Sequence, residues 1–350
     1  VWIMAYTTID KPSDYFNTVI YTGNGAAARG ITGVGFQPDW VWVKARSAAY
    51  PHITWDSART NKASLCTNTD AAEVTTTART LTSFDSDGFT TPNVTGDIFN
   101  DSGTDFASWN WKAGTTAIPS GSTTDPLGVS INTTSGFGIY KITSPASGSY
   151  VLKHGLGKKP KMVIVKDLEA SQKWMVWSDT FSNATDDYLQ LNDIAAKATY
   201  STCWGTMNTT DCTIAVGGTL DANNDHVVYV FADVQGYSKI GSYVGNGNAD
   251  GTFVYTGFKP AFILTKCSSV TGDDWFIQDT TRNTANPVGA YLRPNNSNVE
   301  SSFNHYDILS NGFKNLYAGG SLNTSGRTYI YMAFAEAPIV GTNGVTAKAR

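Results

Sequence analysis

The chain has 350 residues, 41% hydrophobic and only 15% charged, enough to bury a sizeable core and to form two or three domains. A net charge of -4, with no Lys/Arg cluster beyond a few residues, excludes the basic face that phosphate neutralisation needs, so no nucleic-acid partner is expected. No apolar run approaches the roughly 20 residues of a membrane span, so no membrane insertion is expected.

The first residues carry no basic segment followed by an apolar core, so a secretory leader is not expected, and a place outside a cell would be reached through lysis or assembly. With 33 Gly, 10 Trp, 17 Tyr and 16 Phe, and with Thr, Ser, Asn and Gly between short apolar runs, the profile is all-β and rich in turns.

Residues 4 to 20 form a lead-in, with a turn or short helix start at Lys11-Pro12-Ser13-Asp14 and a strand from Thr18 to Tyr21. Tyr21-Thr22-Gly23-Asn24-Gly25 then gives a hairpin signal, because Asn-Gly tolerates the positive φ of a tight turn. It returns as Tyr243-Val244-Gly245-Asn246-Gly247.

Next comes Gly35-Phe36-Gln37-Pro38-Asp39-Trp40-Val41-Trp42-Val43-Lys44, the first of three copies. The others are Gly157-Lys158-Lys159-Pro160-Lys161-Met162-Val163-Ile164-Val165-Lys166 and Gly257-Phe258-Lys259-Pro260-Ala261-Phe262-Ile263-Leu264-Thr265-Lys266. Proline cannot donate to a ladder and belongs at the first residue of a strand. The apolar run behind it reads as a buried strand, and the lysine is expected where the strand returns to water. After a polar loop, a second strand ends in Asp56, Asp179 or Asp279. Each copy closes on a strongly apolar strand, at Phe106 to Trp111, Val227 to Ala232 and Tyr329 to Phe334.

The prolines recur roughly every 100 to 120 residues, the size of a small sandwich domain and far above solenoid periods. The expected architecture is therefore three tandem antiparallel β-sandwich modules of jelly-roll or lectin-like type. They cover residues 1–114, 136–240 and 241–350, with 115–135 as a Pro/Gly-broken linker. Modules one and two are expected to be hinged, two and three to pack directly, and the tail beyond Ala337 to run along a neighbour or dangle.

Catalytic signals are weak. His52, His154, His226 and His305 share no motif, and no H-E-x-x-H, G-x-S-x-G or phosphate-loop pattern occurs. Asp186-Asp187 and Asp273-Asp274 offer carboxylates for a glycosidase pair, but acids are common in turns. No enzyme activity and no cofactor are expected.

Asn246, Asn248 and Asp250 resemble the front half of a calcium loop, yet Gly257 stands where the bidentate acid belongs, so a turn is the preferred reading. Cys203 and Cys212 are nine residues apart, close enough for a hairpin disulfide, with two half-buried thiols as the favoured alternative. The triplicated Lys44, Lys166, Lys266 and Asp56, Asp179, Asp279 are read as a structural brace between neighbouring strands, since a unique active site would not triplicate. The tryptophans exceed what one sandwich core needs. Trp55, Trp109, Trp174, Trp204 and Trp275 are candidate glycan platforms or subunit-contact residues.

Several of these stretches together resemble a family of uncharacterised structural proteins of marine bacteriophages and cyanophages. The likeness lies in Met4-Ala5-Tyr6-Thr7-Thr8-Ile9-Asp10-Lys11-Pro12-Ser13, Gln37-Pro38-Asp39-Trp40, Ser83-Phe84-Asp85-Ser86-Asp87-Gly88-Phe89 and Ala107-Ser108-Trp109-Asn110-Trp111-Lys112-Ala113-Gly114. Gly251-Thr252-Phe253-Val254-Tyr255 and Tyr329-Ile330-Tyr331-Met332-Ala333-Phe334 extend it. It spans nearly the whole chain from Met4, is weakest in the middle module and leaves out Val1-Trp2-Ile3.

The resemblance implies an external virion protein: a tail fibre, tail-tip or head appendage, homo-oligomeric with a threefold assembly as the expectation for fibres. Its partners would be other virion proteins and a host-surface glycan. It implies no catalytic residues. A lectin-like carbohydrate-binding protein with bound Ca2+ and a polysaccharide depolymerase stay open as alternatives.

Overall fold

The computed structural model describes residues 6–60, 62–341 and 346–348. Met4-Ala5 of the opening stretch, the Val1-Trp2-Ile3 prefix and Thr342-Asn343-Gly344 of the tail lie outside the described residues. Within them, helix is confined to one 3-10 turn, Pro12–Asp14, and one α-helical turn, Gly320–Asn323. Every strand-to-strand ladder is antiparallel, and the chain is all-β as its composition foretold.

One four-strand order recurs three times. A lead strand pairs with the closing strand, the closing strand with the proline strand, and the proline strand with the aspartate strand. In the first repeat these are Phe16–Thr22, Asp105–Trp111, Trp40–Ala45 and Ile53–Asp56. In the second they are Phe137–Thr143, Asp225–Phe231, Met162–Asp167 and Met175–Ser178. In the third they are Ser238–Val244, Thr328–Pro338, Phe258–Cys267 and Trp275–Asp279.

The proline and closing strands are therefore always central. That is why Trp40–Ala45 and Met162–Asp167 are buried at every position and open on unbroken apolar runs, Trp40 to Val43 and Met162 to Val165. Pro38 and Pro160 lie two residues ahead of their strands, where no ladder bond is lost. Pro260 lies inside its strand, at a register shift opposite the closing strand.

A smaller sheet lies against each large one. In the first repeat Ile31 and Phe89 of the small sheet meet Val41, Val43, Ile53 and Trp55 of the large sheet. In the third, Val254, Tyr306, Ile308 and Phe313 meet Ile263, Cys267, Tyr329 and Tyr331. These are sandwich cores, built from one parity of each central strand.

The other parity faces elsewhere. Trp40, Trp42, Trp109 and Trp111 join Phe231 and Tyr229 of the second repeat and Phe262, Met332 and Phe334 of the third in one cluster. Ring centroids link the repeats directly: Trp40 to Tyr229 at 4.6 Å, Trp111 to Phe262 at 5.6 Å and Phe231 to Phe334 at 6.2 Å. The three large sheets thus turn their second faces to one another and share a central core. The expected hinge after the first repeat is absent, because residues 115–135 are woven into this body. Gly128–Asn132 is the edge strand of the second large sheet, Thr115 bridges to Ile131, and Ser130 Oγ donates to the buried Asp39 at 2.8 Å.

Candidate functional site

The residues that recur in sequence meet at the seams of this common core, though not as the proposed brace. In an antiparallel hairpin the lysine ends the first strand beside the loop, while the aspartate ends the second strand far from it. Asp56 accordingly lies opposite Trp40, and Asp279 opposite Phe262, each at the far end from its lysine. No Lys–Asp brace forms between Lys44 and Asp56 or between Lys266 and Asp279. Nor do the lysines return to water, since Lys44, Lys166 and Lys266 are all 0% exposed.

Each ammonium instead ties down backbone carbonyls. Lys44 donates to Ala45 O at 2.6 Å and Ala48 O at 3.2 Å, and Lys166 to Asp167 O at 2.7 Å and Ala170 O at 3.4 Å. Lys266 donates to Asp273 O at 2.6 Å and, across the seam, to Ile194 O at 3.2 Å. Burial pushes Lys44 and Lys166 down to about 8 and also lowers Lys266.

The aspartates hold arginines three residues on. Asp56 accepts from Arg59 Nε at 2.7 Å and Asp279 from Arg282 Nε at 2.5 Å, all four side chains fully buried. Each carboxylate also takes a donor from the next repeat: Tyr229 Oη to Asp56 at 2.8 Å and Trp109 Nε1 to Asp279 at 2.9 Å. Tyr229 and Trp109 hold the same register in their repeats, opposite Ile164 and Trp42, so these are one contact used twice. At the third seam the matching residues are Met332 and Ser178, which offer no ionised acceptor. Asp179 lies one residue later and pairs with Lys159 and Lys161, both at 2.5 Å.

Backbone bonds complete the ring at all three seams. Glu73 N donates to Leu168 O at 3.0 Å, Lys197 N to Ser268 O at 2.8 Å and Glu300 N to Arg46 O at 2.8 Å. Each acceptor lies two residues beyond a repeated lysine. Glu300 further bridges the third repeat to the first, meeting Arg46 and Arg282 at 2.8 Å each. Burial raises its carboxyl, but the Arg46 bond and the Arg282 charge outweigh that and hold it below the usual range.

The tryptophans are not surface platforms. All nine described ones are at most 1% exposed. Trp174 Nε1 crosses to Cys66 O at 3.0 Å and Trp275 Nε1 to Gln190 O at 2.9 Å, again one contact repeated. The first repeat has His52 in the corresponding place. Burial and the Lys44 charge push its pKa well down against the Arg293 backbone, so it is neutral. Trp55 and Trp204 stay within their own repeats, donating to Arg79 O at 2.8 Å and Asp187 O at 3.1 Å.

The remaining candidates are also engaged. Asn246 and Asn248 accept from backbone amides two residues on, both at 3.0 Å, and Asp250 pairs with Lys314, the bonding of a turn. Cys203 and Cys212 are free and fully buried, because Cys203 bonds across its hairpin to Ala215 while Cys212 lies opposite Met207. Asp187 is paired with Lys197, Asp273 with Arg327 at 2.8 Å and Asp274 with Arg293 at 3.0 Å. Among the described residues no group of three His, Cys, Asp or Glu is placed to hold a metal ion.

Arg59, Arg282, Glu73 and Glu300 were missed in the sequence. The signal for the two arginines was present as Asp-x-x-Arg in Asp56-Ser57-Ala58-Arg59 and Asp279-Thr280-Thr281-Arg282, a motif that includes neither glutamate.

No curated protein and no solved structure matches the chain. A family model matches residues 11–338, from the first short helix to the end of the last closing strand, and so takes in all three repeats. The chain therefore belongs to the family described as Domain of unknown function (DUF7483).

Proposed function

We propose that this chain is a non-enzymatic structural protein of a bacteriophage particle, an appendage of tail or head that contacts the host surface. The observation that carries the reading is the single aromatic core shared by three repeats, with buried carboxylates at two seams taking donors from the neighbouring repeat. Such a body resists shear as one unit, since no repeat can separate without exposing buried tryptophans and breaking the Tyr229–Asp56, Trp109–Asp279 and Arg46–Glu300 contacts. Rigidity of this kind suits a part that transmits force rather than one that opens around a substrate. Because seams within one chain hide the aromatics once assigned to subunit contacts, assembly and host contacts fall on the outer, smaller sheets.

The test is particle composition. Peptides of the chain should co-purify with density-banded virions at constant stoichiometry, and gold-labelled antibody should mark a fixed external position. A chain found only in the unassembled lysate fraction would overturn the proposal.

A further inference from the structure

The rings foreseen as sugar platforms are buried, but the third repeat carries another aromatic set at its surface. A cleft of about 290 Å³ opens where Trp275–Asp279 meets the outer strand Ser301–Leu309 and the turn at Gly320. Phe303 and Tyr317 form one wall, each 43% exposed, edge to face at 4.6 Å and 75°. Tyr291 forms the other, with the Arg293 guanidinium 4.9 Å above its ring. His305 lies between the walls, 5.3 Å from Phe303 and 5.0 Å from Tyr291, and its Nδ1 has no hydrogen-bond partner among the described residues.

A register slip builds this cleft. Val288 faces Tyr306 while Ala290 faces Ser302, so two steps on one strand span four on the other. The extra residues leave the ladder, and Ser302, Phe303 and Asn304 are all exposed in mid-strand. Bulges that re-aim side chains are concentrated beside binding sites.

The second repeat shows that the opening itself belongs to the architecture. Met175 and Phe276 hold one register, opposite Val165 and Thr265, and Met175 lines a cleft of about 240 Å³. There the polar groups satisfy one another, Gln172 with Asp221 at 2.7 Å and Lys173 with Asp193 at 3.1 Å. Tyr188 and Tyr200 also line that cleft, while the third-repeat cleft adds the slipped strand that carries Phe303 and the edge-to-face Phe303–Tyr317 pair.

The lining selects its ligand. Exposed rings call for an apolar face, while Asp274, Ser302 and His305 call for hydroxyls. Asp274 and Arg293 neutralise each other at 3.0 Å, and burial, with the Arg293 charge, lowers His305 to about 4, so the cleft favours a neutral ligand. Phe303 and Tyr317 stand at 75° to each other, so their wall offers no single flat platform to a planar heteroaromatic ring. A volume near the lower end of the usual ligand range holds one or two small rings.

We propose that this cleft binds a neutral pyranose, its C–H face on Phe303 and Tyr317 and its hydroxyls on Asp274, Ser302 and His305. This deepens the host-contact part of the proposed function and rests on it only for the source of the sugar, a surface glycan. Binding itself is measured on the isolated chain, so its failure and that of the particle test are separate results.

The experiment is saturation-transfer NMR on the full chain with methyl glucoside, galactoside and mannoside and with N-acetylglucosamine at millimolar concentration. At least one should give a saturable signal, and Phe303→Ala or Tyr317→Ala should weaken its Kd about tenfold, the effect of losing a central aromatic anchor. Both side chains are half exposed, so melting temperature should stay close to that of the parent. Tyr200→Ala, in the second-repeat cleft, should leave binding unchanged. The proposal is overturned if none of the four sugars binds, if binding survives both wall substitutions, or if it is lost in Tyr200→Ala instead.

Discussion

The seams carry a built-in comparison, because one position is filled by Asp56, Ser178 and Asp279 in turn. Asp279→Ala removes the acceptor of Trp109 Nε1 and the closest partner of Arg282, both fully buried. Breaking a buried ion pair from one side costs about 3–5 kcal/mol, and an indole N–H left without an acceptor adds about 1 kcal/mol or more. Arg282 keeps Glu300 at 2.8 Å and Ile277 O at 3.1 Å, which places the total near the lower end, about 4 kcal/mol. Asp56→Ala should cost the same, since Arg59 keeps Glu73 at 3.0 Å while Tyr229 loses its acceptor.

Ser178→Ala loses the hydroxyl contact with Thr180 Oγ1 at 2.9 Å and the bond from Thr180 N at 3.3 Å, both to an exposed residue, and should cost about 1 kcal/mol or less. Urea unfolding followed by tryptophan fluorescence reads the difference. With a slope of about 4 kcal/mol per M for a chain of this size, the two aspartate variants should lose about 1 M in midpoint. If Asp279→Ala unfolds within about 0.3 M of Ser178→Ala, the buried carboxylate with its arginine and indole partners does not stabilise the fold and the reasoning is refuted.

Three further outcomes follow from the shared core, the buried lysines and the thiols. A chain ending at Gln235 exposes the Phe16 and Trp111 rings that face Phe262 and Phe334, so it should bind a hydrophobic dye and lose its sharp transition; a cooperative fold at the parent midpoint contradicts the shared core. Lys166 is pushed down to about 8 from 10.5, so between those values the unfolded chain binds more protons and this residue's contribution to stability rises with pH. Relative to Lys166→Met, in which thiols and tyrosines titrate alike, the parent should gain about 2 kcal/mol from pH 7.5 to 9.5, and a constant difference rejects the lowered pKa of Lys166. Burial pushes Cys203 up to about 11 and raises Cys66, Cys212 and Cys267, so the native chain should react slowly with a thiol reagent at pH 8 and titrate four thiols once unfolded. Two thiols after unfolding would mean a bridge.

The sequence by itself determined which segments are strands and that the central ones are covered on both faces. Trp40-Val41-Trp42-Val43 has no polar parity, so it can sit only between two apolar layers. The threefold recurrence of proline, lysine, aspartate and closing strand was legible because each copy needs the same local geometry. The opposite-end placement of lysine and aspartate was legible too, from hairpin direction alone, although a brace between them was expected. What covers the second face was not legible. A period of two separates the two faces of a strand but carries no information about what packs on each. Only the closed ring of three sheets decided that Trp109 meets Asp279 and Trp174 meets Cys66, residues 170 and 108 positions apart in the chain. The exposed cleft of the third repeat depends on a register slip between two strands, and register is a property of the pair, set by turn and packing together, so neither strand's residues announce it alone.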